Sequence, residues 1–129
     1  MLKIGGIYLT REFFDILVDG YVATRAEQVL SMISHRNQLP DRLCEQLEAF
    51  EDPYPNSLDY LTALIRVQTE DYVHSDQEIQ TSEPYKEIIS TASEQADREF
   101  AAKFSPNDLL LIASIAEELG INLPTGQER

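Results

Sequence analysis

Residues 82–104, SEPYKEIISTASEQADREFAAKF, predict a long amphipathic helix. Ser82, Glu83 and Pro84 place a capping hydroxyl, an early carboxylate and a proline in the first turn, a combination typical of helix starts. Apolar side chains then recur at the spacing of one helix face. These side chains are Tyr85, Ile88, Ile89, Ala92, Ala96 and Phe100.

Residues 105–120, SPNDLLLIASIAEELG, repeat this start signal and predict a further helix that ends near Gly120. Within it, residues 109–119 are apolar on nearly every side. A helix of that kind usually forms the centre of a core, so we expect this one to be buried, with a subunit interface as the alternative.

Caps, glycines and prolines divide the chain before residue 82 into shorter helices. The expected helices are residues 11–19, 24–36, 41–51 and 56–72. Thr10 caps the first and Gly20 ends it, while Thr24 and Glu27 form a capping box for the second. The fourth should direct a set of apolar side chains inward: Leu61, Leu64, Ile65 and Tyr72.

Three segments have no helical period. Residues 73–81 are mostly polar, so we expect a loop. Residues 3–9 alternate loosely like a strand, but no other part of the chain offers an obvious partner strand. We therefore expect residues 1–9 to form an ordered arm with a bend at Gly5 and Gly6, and residues 122–129 to form a polar tail.

Composition fits one small domain. The chain has 129 residues and is 43% apolar, which suffices for a single core. Its one cysteine, Cys44, excludes an intrachain disulfide, fits a reducing compartment and should be buried. We expect an all-α fold, an irregular bundle of five to six helices in a single domain. We also expect a cytoplasmic protein, because no apolar stretch resembles a secretory signal or a membrane span.

The charge is large and uneven. The net charge is -13, and residues 41–99 hold fifteen acidic against four basic side chains. Such a surface repels phosphate backbones and anionic lipid headgroups, so we expect no direct binding to nucleic acid or membranes. A basic protein partner is favoured instead.

Tyrosines interleaved with carboxylates are well suited to binding a basic protein, because the rings supply contact area and the acids steer the partner. The predicted partner-binding residues are Glu45, Glu48, Asp52, Tyr54, Asp59, Tyr60, Glu70 and Asp71. The chain would then be an inhibitor, an immunity-type antagonist or a mimic of nucleic-acid charge that occludes the partner's phosphate-binding groove. This hypothesis requires the central carboxylates to converge on one exposed side.

Two alternatives remain open. In the first, residues 109–119 form a homo-oligomer contact and the chain is an assembly subunit or chaperone. In the second, the chain is a metal-dependent nucleotide hydrolase. Acidic residues at short helical spacing resemble the helix pairs by which small α-helical nucleotide pyrophosphohydrolases hold Mg²⁺. Those residues are Glu45, Glu48 and Glu51, with Glu94 and Asp97.

The signals for metal or cofactor chemistry are incomplete. The cluster of basic or amide side chains that would receive a substrate's phosphates is missing. Glu70, Asp71 and His74 could share one helix end, but Met32 occupies the position where a second acid–histidine pair would need its acid, three residues before His35. We therefore expect no metal, no cofactor and no catalytic residue.

Overall fold

The computed structural model describes residues 1–32, 39–50 and 58–118. Its elements, in chain order, are β1 (Leu2–Ile4), β2 (Ile7–Leu9), α1 (Arg11–Met32), α2 (Asp41–Ala49), α3 (Leu58–Thr69), α4 (Asp76–Thr81), α5 (Glu83–Ala102) and α6 (Pro106–Glu118). The predicted all-α class is confirmed, with six helices and one small hairpin in the part of the chain described. The predicted tail, residues 122–129, lies outside the described residues, as do Asp52 and Tyr54.

The first two predicted helices are one helix. The prediction that Gly20 ends a helix and that Thr24 caps the next is wrong, because α1 continues through both and the Thr24 hydroxyl donates to the Gly20 carbonyl oxygen at 2.9 Å. Gly20 is buried, and a Cβ there would lie 2.5 Å from Cδ2 of Leu61. The glycine therefore serves the close approach of α1 to α3. Thr10 is confirmed as the cap, accepting from the Phe13 N–H at 3.1 Å.

The N-terminal segment is a β-hairpin. β1 and β2 pair antiparallel, with Leu2 opposite Leu9 and Ile4 opposite Ile7. Gly5 and Gly6 both have positive φ, the conformation that a tight two-residue hairpin turn requires. The expected arm is thus corrected: the strand partner that appeared to be missing lies within the same nine residues.

The expected loop over residues 73–81 contains the short helix α4. Ser75 and Glu78 form its capping box: the Glu78 N–H donates to Ser75 Oγ at 3.3 Å, and the Ser75 N–H donates to Glu78 Oε2 at 2.8 Å. Only Ile79 of α4 is buried. A six-residue helix with one buried side chain shows no periodicity, so the capping box was its only local signal.

The core lies between the long helices. α5 packs mainly on α1, and its predicted apolar face is buried except for Ile89, which is half-buried. The burial of α6 is confirmed for Leu109, Ile112 and Ile115, and Ser105 caps this helix by accepting from the Asp108 N–H at 3.2 Å. Cys44 is buried, as expected. None of the helices within the described residues is long and apolar enough to cross a bilayer.

A buried ion pair joins α1 to α5. Arg25 and Asp97 are almost fully buried, and Arg25 Nε donates to Asp97 Oδ1 at 2.5 Å. The same guanidinium donates to the Tyr21 carbonyl oxygen at 2.8 Å and to the Ser93 carbonyl oxygen at 3.0 Å. A buried guanidinium has to be paired and hydrogen-bonded, and these contacts meet both requirements.

Replacing Asp97 should reveal how much the interior depends on this pair. The substitution Asp97→Asn leaves a buried guanidinium without its counter-ion, so we expect the free energy of unfolding to fall by about 3 kcal/mol or more. Asp15→Asn is the matched control, because the ion pair of Asp15 with Arg11 is exposed to solvent and its atoms are 3.9 Å apart. This variant should change the free energy of unfolding by less than about 0.5 kcal/mol. Urea unfolding monitored by circular dichroism measures both. Equal effects would contradict this assignment.

Candidate protein-binding surface

Six of the eight predicted partner-binding residues lie in the described part of the chain, and they fall into two groups. Glu45 and Glu48 are exposed on α2, which contacts the C-terminal end of α5 through Gln46 and Phe50: Gln46 Nε2 donates to the Lys103 carbonyl oxygen at 2.6 Å, and Phe50 packs on Phe100.

The second group belongs to α3 and to the turn after it: Asp59 and Tyr60 lie in the first turn of α3, and Glu70 and Asp71 follow its end. There the Tyr85 hydroxyl donates to Asp71 at the N-terminal end of α5. Tyr85 and Phe100 are about 22 Å apart along the helix axis. The structure therefore places Glu45 and Glu48 at the other end of α5 from Asp71. The expected convergence of the central carboxylates on one side is not met, so a binding surface has to be built from one group alone.

Glu70 ends α3 in an unusual way. Its φ is +58°, the only positive φ of a non-glycine residue among those described. The Asp71 N–H donates to the Arg66 carbonyl oxygen at 3.0 Å, and the Glu70 N–H donates to the Val67 carbonyl oxygen at 3.2 Å. These two bonds form a Schellman motif in which Glu70 occupies the position that glycine usually takes.

A carboxylate at this position opposes stability in two ways. A side chain in the left-handed region is sterically strained, and a negative charge at a helix C-terminus meets the negative end of the helix dipole. Residues held in such conformations concentrate at functional sites. Glu70 is exposed, so its carboxylate is presented to solvent at this cost.

An apolar stripe runs along the outside of α3. Tyr60, Leu64 and Val67 lie at positions i, i+4 and i+7, which share one side of a helix. Tyr60 is 43% exposed, Val67 is 58% exposed and Leu64 is half-buried. Asp59 and Glu70 are exposed near the two ends of this stripe. We call these five residues the α3 outer face.

Two side chains beyond α3 extend the exposed apolar area. Tyr72 was predicted to face inward with Leu61 and Ile65, which are buried, but Tyr72 is exposed together with Val73. The reason is that α3 ends at Thr69 and the Schellman motif redirects the chain before Tyr72. Leu64, also predicted to face inward, is half-buried and packs against the core, while Val67 is a surface residue that the sequence prediction did not name. The sequence does contain a signal for this exposure: α3 has apolar side chains on two sides, and only one side can face the core.

Arginines neutralise several carboxylates internally. Besides Arg25 with Asp97, Arg42 holds Asp108 through two hydrogen bonds of 3.0 and 2.7 Å, which keeps the pKa of Asp108 below its usual value. Arg66 pairs with Asp76. Each such pair is neutral, so the net charge of -13 comes from the other carboxylates. Within the described residues, no lysine or arginine forms an ion pair with Asp59 or Glu70.

Asp71 is the centre of a polar cluster behind Glu70. His74 Nδ1 lies 2.8 Å from both carboxylate oxygens of Asp71, and the rings of His74 and Tyr85 meet edge to face. The hydrogen bond to Asp71 raises the pKa of His74, with a further contribution from the Glu78 charge, and lowers the pKa of Asp71. The cluster therefore holds the chain between α3 and α4 in place.

The geometry gives little support to the two alternatives. Leu109, Ile112 and Ile115 are in the core, which leaves Leu110, 62% exposed, as the large exposed apolar side chain of α6 within the described residues. Asp97 is bound to Arg25 and cannot join Glu94 in an exposed acidic cluster. Within residues 1–32, 39–50 and 58–118, no three His, Cys, Asp or Glu side chains are placed to hold one metal ion.

Comparison with known proteins adds no further constraint. The chain matches no family model, no curated protein and no solved structure. Its function must therefore be inferred from its own residues.

Replacing Glu70 should stabilise the fold. The variant Glu70→Gly removes the strain of the left-handed conformation and the unfavourable charge at the helix end. We expect the free energy of unfolding to rise by about 1 kcal/mol, after allowing for the greater backbone freedom of glycine in the unfolded chain. Glu45→Gly inside α2 is the control and should be destabilising. Urea unfolding checks both, and a loss of stability in Glu70→Gly would contradict the account of strain.

The His74–Asp71 pair should make stability depend on pH. The raised pKa of His74 contributes stability that is complete below its unfolded value of about 6.5 and is lost as the pH rises through the folded pKa. The lowered pKa of Asp71 contributes stability that is complete above its unfolded value of about 3.9 and is lost as the pH falls.

The variant His74→Gln should therefore lose most stability, relative to the wild type, near pH 5, and the difference should shrink as the pH rises above about 6.5 and through the folded pKa of His74. Thermal unfolding across this range measures it. In Asp71→Asn, an NMR titration of the His74 ring should show its pKa falling toward the ordinary value. An unchanged His74 titration would rule out the pair.

Proposed function

We propose that this chain is an acidic, cytoplasmic protein-binding module that antagonises a basic protein partner, as an inhibitor, an immunity-type protein or a mimic of nucleic-acid charge. The observation that carries the proposal is the α3 outer face, in which an exposed apolar stripe lies between two carboxylates that have no basic partner among the described residues.

The stripe supplies the contact. Tyr60 is the anchor, because a tyrosine ring buries a large contact area at low entropic cost. Leu64 and Val67 extend the apolar contact by two helical turns. A partner side chain that packs against Tyr60 would therefore also cover Val67.

The carboxylates supply direction and selectivity. Asp59 and Glu70 select lysine or arginine at the edge of the contact, and a phosphate group approaching the same surface is repelled. A partner whose groove binds phosphate offers this pattern of positive charge. Occupation of that groove by the α3 outer face would block its normal ligand.

Glu70 links function to stability. A residue that costs folding energy at a helix end is understandable if its charge is needed for binding, since functional sites often trade stability for activity. Asp71 supports it from behind, because its bonds to His74 and Tyr85 hold the turn that presents Glu70.

Glu45 and Glu48 have a different part in the proposal. They lie near the opposite end of α5, beyond the range of about 8 Å over which charges act strongly at physiological salt. We assign them to the general negative field that speeds encounter with a basic partner, and the direct contact to the α3 outer face.

The proposal is tested with the partner obtained by co-purification from the native host and then purified. We expect Tyr60→Ala to weaken binding by about 2 kcal/mol, as at a hot spot. Leu110→Ala is the matched control, because Leu110 is similarly exposed on α6, and it should leave the affinity unchanged. Isothermal calorimetry measures both variants.

Charge is tested on the same complex. Raising the salt concentration should slow association tenfold or more, an effect on the order of that seen for electrostatically steered complexes. Asp59→Asn combined with Glu70→Asn should reduce the salt dependence more than Glu12→Gln combined with Glu45→Gln. An association rate that ignores salt, together with equal affinities of Tyr60→Ala and Leu110→Ala, would overturn the proposal.

A further inference from the structure

A cavity of about 310 Å³ lies on the inner side of α3, between α1, α4 and α5. α1 lines it with Tyr21, Thr24, Arg25 and Gln28, which recur on one face of that helix. This volume is within the range of small-molecule sites. The cavity is separate from the α3 outer face, because it opens beside Leu58 and Thr62 and not beside Tyr60 or Val67.

The described residues of the cavity wall are uncharged apart from Arg25. The chain has 23 acidic residues, yet no carboxylate is among the described residues that line the cavity. Arg25 is present, but its charge is compensated by Asp97 at 2.5 Å. An anion would gain little there inside a protein of this net charge, and a cation would meet the guanidinium with no carboxylate facing it from the described residues of the wall. The wall therefore suits an uncharged ligand.

Two groups at the cavity, on Tyr21 and Arg25, can each donate one more hydrogen bond. Tyr21 lines the cavity, and its hydroxyl has no hydrogen-bond partner among the described residues. No buried side-chain nitrogen or oxygen of those residues lacks a partner, so this hydroxyl is open to the cavity. Arg25 Nη1 makes one hydrogen bond, to the Tyr21 carbonyl oxygen, so its second N–H has no acceptor within the described part of the chain. Both donors are therefore available to an acceptor atom of a molecule that enters the cavity.

The remaining wall combines amide, hydroxyl and apolar groups. Gln28 and Gln80 offer side-chain amides, although Gln80 Nε2 already donates to Thr62 Oγ1 at 3.3 Å. Leu58 and Ile89 provide the apolar part. A ligand with one acceptor oxygen and a small apolar body matches this arrangement of groups.

We propose that this cavity is a binding site for an uncharged small molecule that carries a carbonyl oxygen on a compact apolar body, the class of a simple carboxamide. Its carbonyl oxygen accepts from the Tyr21 hydroxyl and from Arg25 Nη1, and its apolar body packs on Leu58 and Ile89. Burial raises the pKa of Tyr21 to about 12, so the hydroxyl remains a donor over the whole physiological range.

The test uses three probes of nearly equal shape and different charge: benzamide, benzoate and benzamidine. Each is titrated into ¹⁵N-labelled full-length protein, and the resonances followed are the side-chain amides of Gln28 and Gln80 and the backbone amide of Ser93. We expect benzamide to shift them with a dissociation constant of about 1 mM, as is usual for a fragment of this size. Benzoate and benzamidine should bind at least about tenfold more weakly at these resonances.

The variant Tyr21→Phe removes a hydroxyl that has no partner within the described chain, so the fold should persist and the same spectra report on it. Its affinity for benzamide should fall roughly threefold to tenfold, the value of one hydrogen bond. Tyr8→Phe, on the hairpin, is the control and should bind as the wild type does. Benzamide affinity should not change between about pH 6 and pH 9, because Tyr21 does not titrate there.

Two results would overturn the proposal: resonances of the cavity that do not respond to benzamide, or equal responses to all three probes. Neither result bears on partner binding by the α3 outer face, which is measured with different variants. Failure of the cavity proposal is thus distinguishable from failure of the proposed function.

Discussion

The interior of this protein depends on the pairing of Arg25 with Asp97. The two residues are 72 positions apart in sequence and meet at 2.5 Å where α1 and α5 cross. A buried ion pair adds little stability compared with apolar side chains of the same shape, but it penalises any packing that separates its members. Because the same guanidinium also bonds to the Tyr21 and Ser93 carbonyl oxygens, it sets how the two longest helices lie against each other. It also forms part of the cavity wall, so the pair that orders the core shapes the second proposed site as well.

Internal pairing of this kind determines where the negative charge is found. Arg25, Arg42 and Arg66 each hold one aspartate, and these neutral pairs tie α1 to α5, α2 to α6 and α3 to α4. The chain therefore uses basic side chains to join its elements, and carboxylates without such partners remain on the outside. Charge on the exterior affects how the protein associates with other molecules, and it does not determine the fold. On the α3 outer face this charge accompanies exposed apolar area, which general solubility does not require.

The end of α3 shows how local structure and proposed function meet. A Schellman motif normally relies on glycine, but here Glu70 takes the left-handed position. The turn persists because the following residues are held by tertiary contacts: Asp71 binds His74 and Tyr85, and Arg66 binds Asp76 and the His74 carbonyl oxygen. Surrounding structure of this kind is what allows a strained residue to remain in place.

The sequence by itself determined the helical class, the caps at Thr10 and Ser105 and the buried faces of α5 and α6, because capping and periodicity act between residues a few positions apart. Only the tertiary structure decided that Gly20 lies inside a continuous α1, since the reason is the distant Leu61 and not the local sequence. It also decided that Tyr72 is exposed, that Asp97 is neutralised by Arg25 and that Gln46 and Asp71 contact α5 at different ends. Convergence of charges and exposure of a helix face depend on contacts between residues far apart in the chain. A single sequence, read locally, does not contain those contacts.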